Sequence, residues 1–177
     1  PLDKKNLGAS VAEALLTKDV HPLGQLPQFD GAGIYAIYYT GDFDAYAQVT
    51  RLNNDGKFML PIYVGKAVPA GARMGAGTDV PPGKVLFKRL KEHADSIKSA
   101  TNLNIDDFFC RFLVVYDIWI PLGESLIISR FTPVWHSLID GFGNHNPGKG
   151  RHAGMRPRCD ALHPGRAWAE RLSSRPA

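Results

Sequence analysis

The sequence predicts an α+β fold, in which helices flank a small mixed or antiparallel β-sheet. Two observations lead to this prediction. Short runs rich in aromatic and β-branched residues are bounded by glycine or other turn residues, as strands usually are. Two further segments repeat their apolar residues at helical spacing. The resulting order of strand, strand, helix, strand and helix is typical of helices packed on a small sheet.

The strands are predicted from local composition. Gly33 to Tyr39 is aromatic and β-branched between glycines, and Tyr46 to Leu52 is a candidate for another strand. A strong turn signal at 53–56 precedes a third run, Phe58 to Gly65, where Pro61 indicates an edge or a bulge. Asp107 to Tyr116 is a dense apolar run and is interpreted as a buried central strand.

Three helices are predicted. At 8–18, Ser10 and Glu13 have the spacing of a capping box. From Val85 to Ala100 the apolar residues form one stripe, namely Leu86, Leu90, Ala94 and Ile97. A further helix should follow Pro121 and end before Pro133, with its apolar side facing inward at Leu122, Leu126, Ile127 and Phe131.

Composition describes a globular protein of one domain. The 177 residues are 44% hydrophobic and 21% charged, and no run of about 18 apolar residues is long enough to span a membrane. With two cysteines and no apolar leader at the start, a reducing cytoplasm is the expected location. We therefore predict a single domain over 1–177, with an N-terminal helix at 8–18, a core at about 31–137 and a basic C-terminal extension at 144–177.

Positive charge is concentrated near the C-terminus. The formal net charge is +4, and residues 144–177 hold seven Lys or Arg against two acids, so this segment carries +5 and the rest −1. A positive segment on a nearly neutral body suits contact with phosphates. Charge alone is equally well explained by a solvated terminal segment.

Five side chains are candidates for chemistry. Tyr35 and Tyr63 lie in glycine-flanked strands, and if these strands pair, both phenols reach one face of the sheet. Arg89 and His93 are four residues apart on the predicted helix and share a face of it. Glu124 is placed in the first turn of the last helix. Each has a structural alternative, namely tyrosine packing, a solvated helix edge, or an acid favoured by the helix dipole.

The order of these residues resembles the GIY-YIG nuclease superfamily. The matching motifs are Gly33-Ile34-Tyr35, Tyr63-Val64-Gly65, Arg89 with His93, and Glu124-Ser125-Leu126-Ile127 followed by Pro133. The resemblance covers roughly residues 31–137 and implies the GIY-YIG fold. Beyond it, Asn146 to Arg151 and His163 to Arg166 look like the branch of type II restriction enzymes that cut CCGCGG.

The resemblance implies hydrolysis of phosphodiester bonds in double-stranded DNA with one Mg²⁺ per active site, held by Glu124 and a phosphate oxygen. Tyr35 would take a proton from the attacking water, with its phenolate favoured by Arg89, His93 and the metal, or with His93 accepting its proton directly. Arg89 would bind the phosphate, and Tyr63 would orient water or phosphate.

The resemblance also implies partners. Reading a palindromic site calls for a homodimer, and a restriction enzyme of a prokaryotic cytoplasm has a cognate DNA methyltransferase. Arginines are the commonest specific readers of guanine, although for any single arginine contact with phosphate alone is the favoured explanation. The candidates for contact with DNA are Arg73 in the glycine-rich loop at 68–83, and Lys149, Arg151, Arg156 and Arg158 in the C-terminal extension.

This sequence departs from the family pattern at two points. The segment from Gly41 to Met59 looks like an insertion between the two tyrosine strands. The position of the family asparagine, about twelve residues after the glutamate, is occupied by His136. His136 would act as a donor to the phosphate or to Tyr35, or would mark a weakened enzyme.

Other readings of the sequence remain open. A repair or homing nuclease on the same scaffold usually carries further DNA-binding domains, for which this chain has no room. A DNA-binding protein that has lost cleavage would be consistent with His136, and a purely structural domain would have to match five motif positions by coincidence.

Overall fold

Four strands form one antiparallel sheet with helices on both faces in the computed structural model, which describes residues 4–69, 81–146 and 154–174. The strands are β1 (His21–Pro22), β2 (Gly33–Tyr39), β3 (Tyr63–Ala67) and β4 (Phe108–Val114), in the spatial order β1-β4-β2-β3. All three pairings are antiparallel. The predicted α+β class is confirmed, as is the interior position of the strand predicted at 107–116.

Helices cover both faces of the sheet. Helices α1 (Lys4–Leu16) and α4 (Ile120–Phe131) lie on one face, and α2 (Ala47–Asn53) and α3 (Val85–Ser99) lie on the other. Three short helices follow, α5 (Val134–Ser137), α6 (Arg158–Leu162) and α7 (Ala167–Glu170). Every residue of β2 is buried because both of its faces are covered.

Helix α3 matches its prediction. It begins at the expected Val85, and its four stripe residues are all buried against the sheet, at Leu86, Leu90, Ala94 and Ile97. Since the stripe faces the sheet, residues adjoining it on the helix lie along the sheet surface. This orientation brings Arg89 and His93 towards the tyrosine strands.

Helix α4 begins earlier than predicted. Pro121 lies inside its first turn, where a residue without an N–H is tolerated, so the helix starts at Ile120. Glu124 is therefore in the second turn, and the first turn contains no acid. The prediction that Glu124 opens the helix was wrong, and the helix dipole does not account for its position.

The strand predicted at Tyr46 to Leu52 was also wrong, because residues 47–53 form α2. The buried residues of this segment are Tyr46, Val49 and Asn53, which recur at the spacing of a helix face. The Asn53 amide nitrogen donates to the carbonyls of Tyr39 at 3.0 Å and Leu60 at 2.9 Å. The helix and the turn at 54–57 thus fill the segment identified as an insertion.

Strand β3 is shorter than the predicted Phe58 to Gly65 run. It begins at Tyr63, after Pro61, although the Ile62 amide already donates to the Ile37 carbonyl at 2.8 Å. As Pro61 indicated, β3 is an edge strand. The next element along the edge is α5, where the Trp135 amide donates to the Ile62 carbonyl at 3.1 Å.

The C-terminal segment, which the sequence identifies as a basic extension that contacts DNA, also packs into the core, and its contact with DNA stays a prediction. Its described part contributes seven buried residues, namely Pro157, Cys159, Asp160, His163, Arg166, Ala169 and Leu172. Gly165 fits against the backbone at the end of α3, where a β-carbon would overlap the Ser99 carbonyl. Among the described residues, no helix is long and apolar enough to cross a membrane.

Candidate active site

The register of β2 and β3 places the two motif tyrosines side by side. Tyr35 pairs with Gly65, and Ile37 pairs with Tyr63, so both phenols project from one face with ring centroids 6.3 Å apart. A β-carbon at Gly65 would overlap the Tyr35 ring and hydroxyl. The expectation that both phenols share a face is confirmed, and the glycine after the second tyrosine gives room to the first.

His93 contacts the Tyr35 hydroxyl from α3. The Tyr35 oxygen lies 2.6 Å from His93 Nε2, and both side chains are buried. Burial lowers the pKa of His93 well below its ordinary value, and nearby Arg89 lowers it further. His93 is therefore neutral, and its Nε2 can either accept the Tyr35 proton or donate one, according to its tautomer.

The phenolate of Tyr35 is not favoured in this environment. Burial raises the pKa of Tyr35 well above its ordinary value, and the opposing effect of the Arg89 cation is smaller. Burial likewise raises the pKa of Tyr63, again against Arg89. The expectation that Arg89 and His93 together stabilise a phenolate is corrected for the protein's own groups, because desolvation outweighs Arg89 and because His93 carries no charge.

Arg89 is held by three acceptors. Its Nη1 donates to a Glu92 carboxylate oxygen at 2.8 Å and to His145 Nε2 at 2.7 Å, and its Nη2 donates to the Gly143 carbonyl at 2.7 Å. Only 18% of its side chain is exposed. The guanidinium is thus fixed beside both phenols, where its field acts on Tyr35 and Tyr63.

A loop at 141–146 closes this side of the site. The Phe142 ring stacks on His93, with centroids 4.6 Å apart and 17° between planes, and meets Tyr63 edge to face at 5.0 Å. A β-carbon at Gly143 would overlap the Tyr63 hydroxyl. The backbone of the loop at Gly143 therefore packs directly against the Tyr63 hydroxyl, with no space for a side chain between them.

Glu124 approaches from α4, on the other face of the sheet. Its Oε2 lies 2.6 Å from Lys66 Nζ on β3, and the exposed fractions of the side chains are 17% and 33% respectively. The Glu124 charge contributes to raising the pKa of both Tyr35 and Tyr63, so the carboxylate lies within electrostatic range of them. Five of the six predicted catalytic residues thus converge: Tyr35, Tyr63, Arg89, His93 and Glu124.

His136 lies beside this group, against the edge of β3 and the ring of Tyr63. Its Nε2 is 2.5 Å from the Val64 carbonyl, which can only accept, so Nε2 carries the proton and covers the outer edge of β3. Its ring stacks on Tyr63, with centroids 4.6 Å apart and 7° between planes. His136 Nε2 donates to the Val64 carbonyl and not to Tyr35, and its expected role as a donor to the phosphate stays a prediction.

Two of the five predicted DNA contacts can be placed. Arg156 donates to the carbonyls of Ala169 at 3.2 Å and Glu170 at 3.0 Å, so its guanidinium holds α7. Arg158 is exposed and donates to the Leu138 carbonyl at 3.3 Å. Arg73, Lys149 and Arg151 lie outside the described residues.

Sequence reasoning missed the residues that support the site. They are Lys66, Glu92, Phe142, Gly143 and His145. Lys66 directly follows the second tyrosine motif, and Glu92 is three residues from Arg89 on α3, so proximity in sequence offered a signal for both. Nothing in the sequence connects the loop at 141–146 with Arg89.

The donor set suits a magnesium ion that is completed by substrate. Within the described ranges, no group of three or more His, Cys, Asp or Glu side chains could hold a metal by itself. Glu124 is a partly exposed carboxylate at the border of the site. Mg²⁺ is commonly bound through one or two carboxylates together with phosphate oxygens and water, so a single carboxylate beside a phosphate site fits this ion.

Comparison with known proteins identifies the family. No curated protein matches the chain. The family model of the Eco29kI GIY-YIG domain matches residues 27–177, which is most of the chain and includes the five residues that converge at the site. The chain therefore belongs to the Eco29kI GIY-YIG domain family of restriction endonucleases and is a nuclease that cleaves DNA.

Proposed function

We propose that this nuclease is a type II restriction endonuclease that hydrolyses double-stranded DNA at a short palindromic site, with CCGCGG as the first candidate. The observation that carries the proposal is the convergence of Tyr35, Tyr63, Arg89, His93 and Glu124 at one border of the sheet. We further propose that residues 1–177 act as one catalytic domain.

Tyr35 and His93 form a path for the proton of the attacking water. Since burial disfavours the phenolate, Tyr35 has to release its own proton as it accepts another. The Tyr35 hydroxyl gives its proton to His93 Nε2, 2.6 Å away, while the phenolic oxygen takes one from the water that attacks phosphorus. The His93 cation then forms close to the negative charge that develops on the phosphate. General-base assistance of this kind is worth about 10²–10⁴ in rate.

Arg89 and Tyr63 bind the phosphate. Arg89 keeps its charge at any relevant pH, and its guanidinium is already oriented by Glu92, His145 and Gly143. A cationic donor that needs no reorganisation stabilises developing charge most effectively in a site that excludes water. The Tyr63 hydroxyl, held between the stacked His136 ring and Phe142, orients the phosphate or the water. His136 acts on the reaction through Tyr63.

We propose that Glu124 would hold one Mg²⁺ together with a phosphate oxygen. When bound, this ion supplies Lewis-acid stabilisation of the leaving 3′ oxygen. Lys66 pairs with the Glu124 carboxylate in the free protein, and this ion pair would have to open for Glu124 to hold the ion.

Recognition of a palindrome requires a two-fold dimer, and we propose a homodimer on DNA. Arg158 is exposed for contact with DNA, and Arg73, Lys149 and Arg151, which lie outside the described residues, are proposed as DNA contacts from the sequence alone. Arg156 is proposed as a DNA contact from its basic neighbourhood in the sequence, while its guanidinium donates to the carbonyls of α7. A prokaryotic cytoplasm and a cognate methyltransferase that protects host DNA complete the proposal.

The test is cleavage of a plasmid with one CCGCGG site, with Mg²⁺ and with EDTA. A single metal-dependent cut at that site supports the proposal, and Glu124→Gln should remove cleavage while preserving binding of DNA in EDTA. If the plasmid stays intact, a bacterial genome and the variant His136→Asn separate a different target sequence from a weakened site. Metal-dependent cleavage without any fixed position would contradict the restriction assignment.

A further inference from the structure

Arg166 lies outside the cluster just described, in the C-terminal segment, and is almost completely buried. Its Nε donates to Asp160 Oδ1 at 2.5 Å, and its Nη2 donates to Asp160 Oδ2 at 2.6 Å. The exposed fractions are 8% for Arg166 and 3% for Asp160. Trp168 covers the guanidinium, with its ring centroid 4.9 Å from Cζ.

The remaining donors of Arg166 all reach one stretch of backbone. Its Nη1 donates to the carbonyls of Phe142 at 3.1 Å and Asn144 at 3.2 Å, and its Nη2 donates to the Gly141 carbonyl at 2.9 Å. With the two bonds to Asp160, all five N–H donors of the guanidinium are used. The ion pair therefore fixes the carbonyl directions of the loop at 141–146.

The same loop supports the cationic donor of the site. The Gly143 carbonyl lies between those that Arg166 holds, and it accepts from Arg89 Nη2 at 2.7 Å. Phe142, whose carbonyl Arg166 binds, stacks its ring on His93. Arg166 thus binds one side of this peptide segment. On the other side, the Gly143 carbonyl accepts from Arg89 and the Phe142 ring stacks on His93.

We propose that Arg166, oriented by Asp160, is a positioning residue for Arg89. It holds the loop at 141–146 so that the Gly143 carbonyl fixes the guanidinium of Arg89 against the phosphate. This inference rests on the proposed function, in which Arg89 binds the phosphate. Lysine cannot replace Arg166, because an ammonium has three donors that diverge from a point and cannot reach two carboxylate oxygens and three carbonyls together.

The test compares Arg166→Lys and Asp160→Asn with Arg111→Lys. Arg111 is a matched control, since it also donates to backbone carbonyls, those of Lys18 and Phe58, and to a phenol, that of Tyr38 on the opposite face of the sheet. We expect kcat to fall about 10- to 100-fold in Arg166→Lys, as for other misplacements remote from the chemistry. KM and DNA affinity in EDTA should change less than about threefold, and Arg111→Lys should keep the wild-type kcat.

A double-mutant cycle with Arg89→Lys tests the path of the effect. If Arg166 acts through Arg89, adding Arg166→Lys to Arg89→Lys should lower kcat little further, whereas independent effects multiply. Rates are taken well below the melting temperature of each variant, and Asp160→Asn, which retains the guanidinium, carries the test if Arg166→Lys does not fold.

Multiplicative effects, or a kcat loss no larger than that of Arg111→Lys, would overturn the inference. The phosphate role proposed for Arg89 fails separately, namely if Arg89→Lys itself cleaves at the wild-type rate, and the proposed function fails if the wild-type protein does not cleave DNA at a fixed site.

Discussion

The pair of Tyr35 and His93 shows how one environment acts on two side chains. Burial makes the charged form of each group costly, so it raises the pKa of the phenol and lowers the pKa of the imidazole. Both groups therefore rest in the neutral state, 2.6 Å apart. A neutral pair can shift a proton to the histidine as the phenol receives another, which is what a tyrosine with an unfavourable phenolate needs in order to serve as a base.

Replacing Tyr35 by phenylalanine removes the hydroxyl from this pair. We expect cleavage to fall by about 10²–10⁴, since the path for the water proton is lost, while DNA binding in EDTA persists. The matched control is Tyr38→Phe. Tyr38 lies on the same strand but projects from the opposite face of the sheet, where its hydroxyl accepts from Arg111. Initial cleavage rates on plasmid DNA measure both variants, and equal rates for Tyr35→Phe and Tyr38→Phe would remove Tyr35 from the chemistry.

Removing the ammonium of Lys66 should strengthen metal binding. Lys66 Nζ lies 2.6 Å from the Glu124 carboxylate, so it competes with any cation for the same oxygen. Lys66→Met is expected to bind Mg²⁺ or Mn²⁺ several-fold more tightly in calorimetry. Lys57→Met is the control, because it deletes the same charge from an exposed pair with Asp55. Metal affinity that rises equally in both variants would reflect net charge and not the contact with Glu124.

At the scale of elements, the site depends on the register of two strands and the face of one helix. Pairing of Tyr35 with Gly65 sets the separation of the two phenols, and burial of the α3 stripe turns His93 towards them. A shift by one residue in either strand would send one tyrosine to the opposite face. Position 65 of β3 also has to be glycine, because the Tyr35 ring lies across it and leaves no space for a β-carbon.

Gly65→Ala tests that requirement. The added β-carbon would overlap the Tyr35 hydroxyl, so we expect at least a tenfold loss of kcat and about 1–3 kcal/mol of destabilisation from overpacking. Gly56→Ala is the control, since Gly56 has φ of +73° with no atom within 4 Å of the added carbon. That variant should lose about 1 kcal/mol in urea unfolding and keep its cleavage rate. A fully active Gly65→Ala would show that the phenol tolerates displacement.

At the scale of the whole molecule, the C-terminal segment connects elements that are distant in sequence. His163 Nδ1 lies 2.9 Å from the Asn102 side-chain oxygen, and His163 Nε2 lies 2.5 Å from the Tyr46 hydroxyl, which also accepts from Trp135. The histidine is 3% exposed. Burial lowers the pKa of His163 to about 4, so this connection depends on a neutral imidazole.

Stability should therefore fall in mild acid. His93 and His163 have folded-state pKa values below the ordinary 6.5, so the unfolded chain takes up protons first. The stabilisation is complete above about pH 6.5 and is lost as the pH falls towards 4. For His163 alone the loss between pH 7.5 and 5 is about 2 kcal/mol. Urea unfolding at both values measures it, and the decline should be smaller in His163→Gln. An equal decline in that variant would exclude His163 as a source.

The sequence by itself determined the fold class, the stripe of α3 and five of the residues that converge at the site. The fold class and the helix stripe follow from composition and from the spacing of apolar residues. The site residues follow from the order of the motifs along the chain. The prediction at Tyr46 to Leu52 was wrong because an aromatic and β-branched segment can form a strand or a helix, and only packing decides which. The start of α4 was wrong because a proline can either precede a helix or lie in its first turn. Tertiary structure alone decided the neutral Tyr35 and His93 pair, the partner of Lys66, and the position of Arg166 behind Arg89. Those features depend on burial and on contacts between segments far apart in the chain, and local sequence patterns predict neither.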